Sequence, residues 1–210
     1  MFPEISRDDV FRLETRSLWL RWPQVADIRA LAADAGARAS TPEAASGDPY
    51  RDPGVLDAWR EDNATGGALH LLLTGRDADR RVIGAVDLEP VRGRAEACGL
   101  RLRVWLDAEV RGQGLGTEAV QAMVDAAFML TGTPLVAASA RVLDPGFRRV
   151  LEKSGFGYCG TGLDPAGDDC GLTASDRFRL DHKAWASLKR WRVPGLVRSR
   201  APSPAVDMVQ

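Results

Sequence analysis

Seven consecutive residues, Arg111-Gly112-Gln113-Gly114-Leu115-Gly116-Thr117, stand between an alternating segment that ends at Leu106 and an apolar-periodic stretch that starts at Leu115. Strand, glycine-rich turn and helix in that order build an anion cradle. The first-turn N–H groups of a helix have no intrahelical partner and lie at the positive end of its dipole. A phosphorylated ligand is therefore expected at this loop. Residue type excludes two familiar phosphate motifs. A nucleotide P-loop needs lysine before its hydroxyl residue, and here Gly116 precedes Thr117. A dinucleotide fingerprint spaces its glycines unevenly over six positions, whereas Gly112, Gly114 and Gly116 alternate.

The loop fits another spacing: a basic residue, two residues, glycine, any residue, then glycine, met by Arg111, Gly114 and Gly116. In this it resembles the pyrophosphate loop of the GCN5-related N-acetyltransferase (GNAT) superfamily, which binds acetyl-coenzyme A. Four further stretches extend the resemblance, more narrowly to the branch of ribosomal-protein N-terminal acetyltransferases. Leu13-Glu14-Thr15-Arg16-Ser17-Leu18-Trp19-Leu20-Arg21 is similar to the opening strand of that branch, and Val104-Trp105-Leu106-Asp107 to the end of its central strand. Arg148-Arg149-Val150-Leu151-Glu152-Lys153-Ser154-Gly155-Phe156 resembles its later helix and turn, and residues 176–185 its last strand.

The resemblance implies an α/β fold, a central mixed sheet flanked by helices, and direct transfer of acetyl from acetyl-CoA to a primary amine. The acceptor would be a protein N-terminus or a small-molecule amine. It further implies that the central strand splays from its neighbour before the loop. Backbone groups of Trp105 and Leu106 would then hold the pantetheine arm, and an N–H near Leu106 would face the oxyanion. Arg111, Gly112, Gln113, Gly114, Leu115, Gly116 and Thr117 would cradle the pyrophosphate, with glycine allowing close backbone approach. Three positions depart from the family. Leu151 stands where many members carry a tyrosine acid, Asp144 where the branch has a pantetheine-binding asparagine, and Phe147 where it has a small residue. Asp144 has two readings, helix N-cap and cofactor contact. Phe147 reads as core or as a side chain narrowing the tunnel. These departures support an alternative function, an acyl-CoA-binding module that has lost catalysis.

Acyl transfer to an amine needs a proton acceptor. Asp87 and Glu89 share one face of the strand expected beside the splayed one, where either carboxylate could take a proton through water. A solvated strand-end pair is the competing description. His70, alternating with apolar neighbours in 68–73, reads as structural. Tyr158 is an alternative acid by chemistry alone. Cys98, Cys159 and Cys170 are odd in number and share no pair spacing, so they read as free thiols with no metal site.

The elements that must position these groups follow from periodicity and turn chemistry. A strand is expected over 17–22, ended by Pro23, then a helix over 24–35, a loop over 36–54 and a helix over 54–63. Strands are expected over 68–73, 81–88 and 99–106, with a turn over 90–93. In the last of these, Leu100, Leu102, Val104 and Leu106 fall on one face, and Arg101, Arg103 and Trp105 on the other. The helix from 115 to 130 buries Leu115, Ala119, Ala122, Met123, Ala126, Ala127 and Leu130. A strand over 135–139 precedes a helix opened by Asp144-Pro145, and Gly155 suits a left-handed cap. The alternation of elements implies a mixed sheet with right-handed crossovers.

At 210 residues and 45% hydrophobic, the chain can bury one core, and a single domain over 1–190 is expected with a disordered tail over 191–210. The net charge of −1 gives no strong nucleic-acid signal, and Lys189, Arg190, Arg192, Arg198 and Arg200 read as a solvated tail. No apolar run spans a membrane and no signal peptide opens the chain, so a cytoplasmic location is expected. A homodimer is left open.

Overall fold

A computed structural model describes residues 12–30, 52–76, 81–91, 99–165 and 172–192. The expected loop as far as residue 51, the turn beyond Val91, Cys98, Cys170, Arg198, Arg200 and the tail from residue 193 lie outside them.

Eight strands form one sheet in the order β1-β2-β3-β4-β5-β6-β8-β7. They are β1 (Arg12–Glu14), β2 (Leu18–Arg21), β3 (Leu69–Gly75), β4 (Val82–Pro90), β5 (Gly99–Leu106), β6 (Leu135–Arg141), β7 (Gly157–Pro165) and β8 (Leu172–Asp181). Every neighbouring pair is antiparallel except β5 and β6. A parallel pair needs a crossover, and helix α3 (Leu115–Thr131) supplies it. Helix α1 begins at residue 25 and is described to residue 30; α2 is Pro53–Thr65, α4 Pro145–Lys153 and α5 His182–Arg192.

Local chemistry sets the helix ends. The Asp52 carboxylate accepts the Gly54 N–H at 2.8 Å and Pro53 opens α2, whose C-cap is Gly66 at φ 70°. Asp144 accepts the Phe147 N–H at 2.9 Å ahead of Pro145, and Gly155 takes φ 94° after α4.

One face of the sheet packs against α3 and α4 through Leu71, Leu73, Val86, Leu88, Leu102, Met123 and Leu151. In α3 the buried stripe includes Val120, Val124 and Phe128, whereas Leu130, expected inside, is 40% exposed. At Phe128 this stripe meets α5, whose Trp185 ring lies 5.1 Å away. The other face of the sheet packs Leu72 and Ala85 against Leu56 and Trp59 of α2.

The C-terminal part differs from expectation. The last strand ends at Asp181, not 185, because the Asp181 carboxylate accepts the Ala184 N–H at 2.8 Å and starts α5. Lys189 belongs to this packed helix rather than to a solvated tail: it pairs with Asp125, which also accepts the Trp185 Nε1–H at 2.8 Å. Strand β7, whose glycines 157, 160 and 162 blur alternation, carried no sequence expectation. Among the described residues no helix is long and apolar enough to cross a membrane.

Candidate active site

The glycine loop follows β5 through a short turn over Ala108–Val110 and runs into α3. Gly112 (φ 79°) and Gly114 (φ 86°) occupy the left-handed region, and a Cβ at either would meet nothing within 4 Å. The loop is thus held open on the side where a ligand would stand. Gly114 is the N-cap of α3 without a side-chain hydrogen bond, and the first helical bond, Glu118 N–H to the Gly114 carbonyl at 3.1 Å, leaves Leu115, Gly116 and Thr117 as helical N–H groups with no intrahelical acceptor. Gly116 serves packing as well. A Cβ there would stand 3.3 Å from Leu106 and 3.5 Å from Val150, so its absence lets β5, α3 and α4 close up. Arg111 donates Nε–H to the Leu106 carbonyl at 2.9 Å, and Gln113 donates to the Glu109 carbonyl at 3.3 Å.

Directly before this loop the sheet opens. β5 and β6 pair only from Gly99↔Leu135 to Leu102↔Ala138, so among the described residues the rest of β5 has no strand partner on that side. Which groups are freed follows from the phase of the β4 ladder. Val91 N–H bonds the Gly99 carbonyl at 3.0 Å and Asp107 N–H the Ile83 carbonyl at 2.9 Å. Odd-numbered β5 residues therefore turn their backbone groups to β4 and even-numbered ones away from it. Trp105 points its carbonyl at Gly84, where a Cβ would collide with it. The groups facing the opening are those of Val104 and Leu106, not of Trp105. The residues thus fit an extended polar ligand: a slot lined with backbone donors and acceptors leads to an open loop at a helix N-terminus.

On the α2 face of the sheet, cross-strand register assembles a charged cluster beside the slot. His70 pairs with Asp87, and Asp87 with Arg103. Asp87 is fully buried, which corrects the description of a solvated pair. Arg103 donates Nε–H to its Oδ1 at 3.2 Å, while Nη2 lies 2.9 Å from Oδ2 off the hydrogen-bonding direction and also pairs with Glu89. Burial opposes the Arg103 charge, yet Asp87 and Glu89 hold its guanidinium above the ordinary arginine value. His70 is 1% exposed and stacks on Trp59 at 4.8 Å, and Asn63 holds its backbone at both ends, accepting from His70 N–H at 2.7 Å and donating to its carbonyl at 2.8 Å. The Trp105 ring lies 6.0 Å from Trp59 and under Arg103. One ligand atom each of His70, Asp87 and Glu89 lies within 4.8 Å of the others, a spacing open to a divalent cation, but the Arg103 guanidinium already lies against both carboxylates.

The remaining candidates fall outside this cluster. Leu151 is fully buried in the core. Asp144 caps α4, and Phe147 packs against the core beside Val150. Tyr158 sits on the edge strand β7, its hydroxyl 2.8 Å from that of Thr161, with β6 and β8 between it and the slot. By sequence His70 reads as structural, Arg103 falls only on a strand face, and Asn63 has no part in the site. The only signal was the complementary alternation of Asp87 and Glu89 with Arg101 and Arg103, visible once the two strands are paired.

Comparison with known proteins agrees with this architecture. The structure is similar to a ribosomal-protein-S5-alanine acetyltransferase from Vibrio fischeri, with TM-score 0.66, 16% identity, and 83% of this chain and 98% of that one covered. It is similar to a spermidine N-acetyltransferase chimera from Vibrio cholerae and hSSAT (0.59, 15%, 80% and 98%) and to a microcin self-immunity acetyltransferase in complex with acetyl-CoA and AMP (0.61, 16%, 80% and 93%). No curated protein matches the sequence significantly. The family model for the acetyltransferase (GNAT) domain matches residues 17–157, from the second strand through the slot, the glycine loop and α4, and the chain belongs to that family of acetyl-CoA-dependent acetyltransferases.

Proposed function

We propose that this protein transfers acetyl directly from acetyl-CoA to a primary amine, either a protein N-terminus or a small polyamine-like molecule. The observation that carries the reading is the end of β5–β6 pairing at Leu102, beside buried Asp87 on one side and the glycine loop on the other. The donor brings an already activated thioester, so the protein has only to hold it, orient the amine and accept a proton. Backbone groups of Val104 and Leu106 hold the pantetheine arm, and the Leu106 N–H faces the developing oxyanion. The loop from Arg111 to Thr117 binds the diphosphate, with Asp144 at the edge of the same opening. Asp87 and Glu89 accept the ammonium proton, directly or through water, and the Arg103 guanidinium, paired with both, holds them in place. Trp105 and Trp59 wall the acceptor side.

The family neighbours named for a ribosomal-protein alanine and for spermidine support these two acceptor classes. The test is thiol release from acetyl-CoA with an alanine-starting hexapeptide, a serine-starting hexapeptide and spermidine, alongside thermal shift with acetyl-CoA and coenzyme A. At about a hundredfold excess over Kd a native-state ligand adds about 2.7 kcal/mol, a readily seen rise in Tm. No shift with either ligand at millimolar concentration refutes the donor site. A shift without turnover on any acceptor favours a non-catalytic acyl-CoA-binding module, the reading that Leu151 at the acid position supports.

A further inference from the structure

The cluster on the α2 face contains three buried polar atoms in a row with no hydrogen bond: Asp87 Oδ2, His70 Nδ1 and His70 Nε2. Buried polar atoms are nearly always hydrogen-bonded, so their arrangement calls for an explanation. The His70 ring lies between two carboxylates. Its Nδ1 is 3.7 Å from Oδ2 of Asp87, which is fully buried beside the slot. Its Nε2 is 3.5 Å from Oδ2 of Asp62, whose side chain is 57% exposed in the last turn of α2. A neutral imidazole has one N–H and can donate to only one of these carboxylates; the imidazolium donates to both. Both gaps are longer than a formed hydrogen bond, and a small closing movement could bridge both at once only with a ring that carries a proton on each nitrogen.

Resting on the acetyltransferase reading, we propose that His70 is the proton outlet of the active site, passing the acceptor's proton from Asp87 to Asp62 and so to water. The overall reaction releases one proton for each ammonium acylated. That proton leaves the ammonium for Asp87 before the C–N bond forms and the thioester C–S bond breaks, and the second nitrogen proton goes to the departing thiolate. Asp87 delivers its proton to Nδ1, Nε2 gives up its own to Asp62, and Asp62 exchanges with solvent. A flip of the ring about Cβ–Cγ leaves the proton on Nδ1 but turns that nitrogen towards the Asp62 side and the bare Nε2 towards Asp87, so the ring can accept a proton again in the next turnover. The groups facing the ring are Asp62 and Trp59 from α2 and Asp87 from β4, with a Glu89 oxygen within 4.8 Å and Arg103 of β5 behind Asp87. His70 touches neither substrate, so it acts through Asp87 as a relay.

The test compares wild type with His70→Phe, which keeps an aromatic stack on Trp59, and with the exposed-site variant Asp62→Asn. All three are assayed with acetyl-CoA and the alanine-starting hexapeptide in dilute and concentrated imidazole buffer, and acetyl-CoA affinity is measured by calorimetry without turnover. In dilute buffer kcat should fall about tenfold in His70→Phe and severalfold in Asp62→Asn, with acetyl-CoA affinity unchanged, and concentrated imidazole should restore Asp62→Asn in full. Wild-type kcat in both variants in dilute buffer overturns the relay. So does a loss confined to His70→Phe that imidazole leaves untouched, which means packing alone. A wild type that turns over none of the three acceptors overturns the transferase reading, and the relay with it.

Discussion

Alanine at Gly114, with alanine at Gly132 as a matched control, separates backbone strain from ligand contact. Gly114 opens α3 at φ 86° and Gly132 closes it at φ 62°, and a Cβ at either position would meet no atom within 4 Å. A non-glycine residue in the left-handed region costs about 1–2 kcal/mol. For a domain of this size about 1 kcal/mol moves Tm by about 2–4 °C, so each variant should melt roughly 2–8 °C lower than wild type. Only at Gly114 does the new methyl stand in front of the unpaired N–H groups of the α3 first turn. Displacing the diphosphate from two such charge-assisted hydrogen bonds, each about 1.5–3 kcal/mol, removes about 3 kcal/mol or more. That is a loss of about a hundredfold or more in coenzyme A affinity. Isothermal titration at 25 °C and thermal melts on the three proteins measure both quantities. Gly114→Ala binding coenzyme A like wild type, or Gly132→Ala losing the same affinity, refutes the assignment of the loop.

Leu151→Ala should cost about 2–5 kcal/mol in thermal melts, because the side chain is wholly enclosed, while kcat per folded molecule stays within a few-fold of wild type and no alkaline limb disappears; a large kcat loss in a fully folded variant would give this position a chemical role. Burial alone would raise the Glu118 carboxyl, but hydrogen bonds with Thr15 and with the Ser17 N–H at 2.6 Å hold it below the usual range. A depressed folded value stabilises above the unfolded value of about 4.3 and is lost as pH falls through the folded one. Denaturant titrations should therefore show Glu118→Gln less stable than wild type at pH 7, with the gap narrowing towards pH 3; a gap independent of pH contradicts the linkage.

Helix ends and the phosphate loop were legible because their chemistry is local. Asp144 caps within three residues of itself, Gly155 turns the chain where it stands, and Gly112 and Gly114 announce positive φ by having no Cβ. The core leucines of β5 were legible from alternation. Where those signals are faint the reading failed: β7 alternates poorly through its glycines, and the cap at Asp181 shortened a strand expected to run on to 185. Burial of Asp87 escaped too, since an acidic residue near a strand end looks solvated until Arg103 and His70 are placed across from it.

The sequence by itself determined the class of ligand site, because a strand, a flexible glycine turn and a helix start expose unpaired N–H groups whatever surrounds them. It also determined the mixed sheet, through the order and period of its elements. Tertiary structure decided which backbone atoms face the slot and which side chains share it. Backbone ladder bonds carry no residue identity, so neither the end of β5–β6 pairing at Leu102, nor the phase that frees Val104 and Leu106, nor the meeting of Asp62, His70 and Asp87 is written in any one segment. Each depends on register between distant strands and on how α2 lies across them, which the packing of the whole sheet selects.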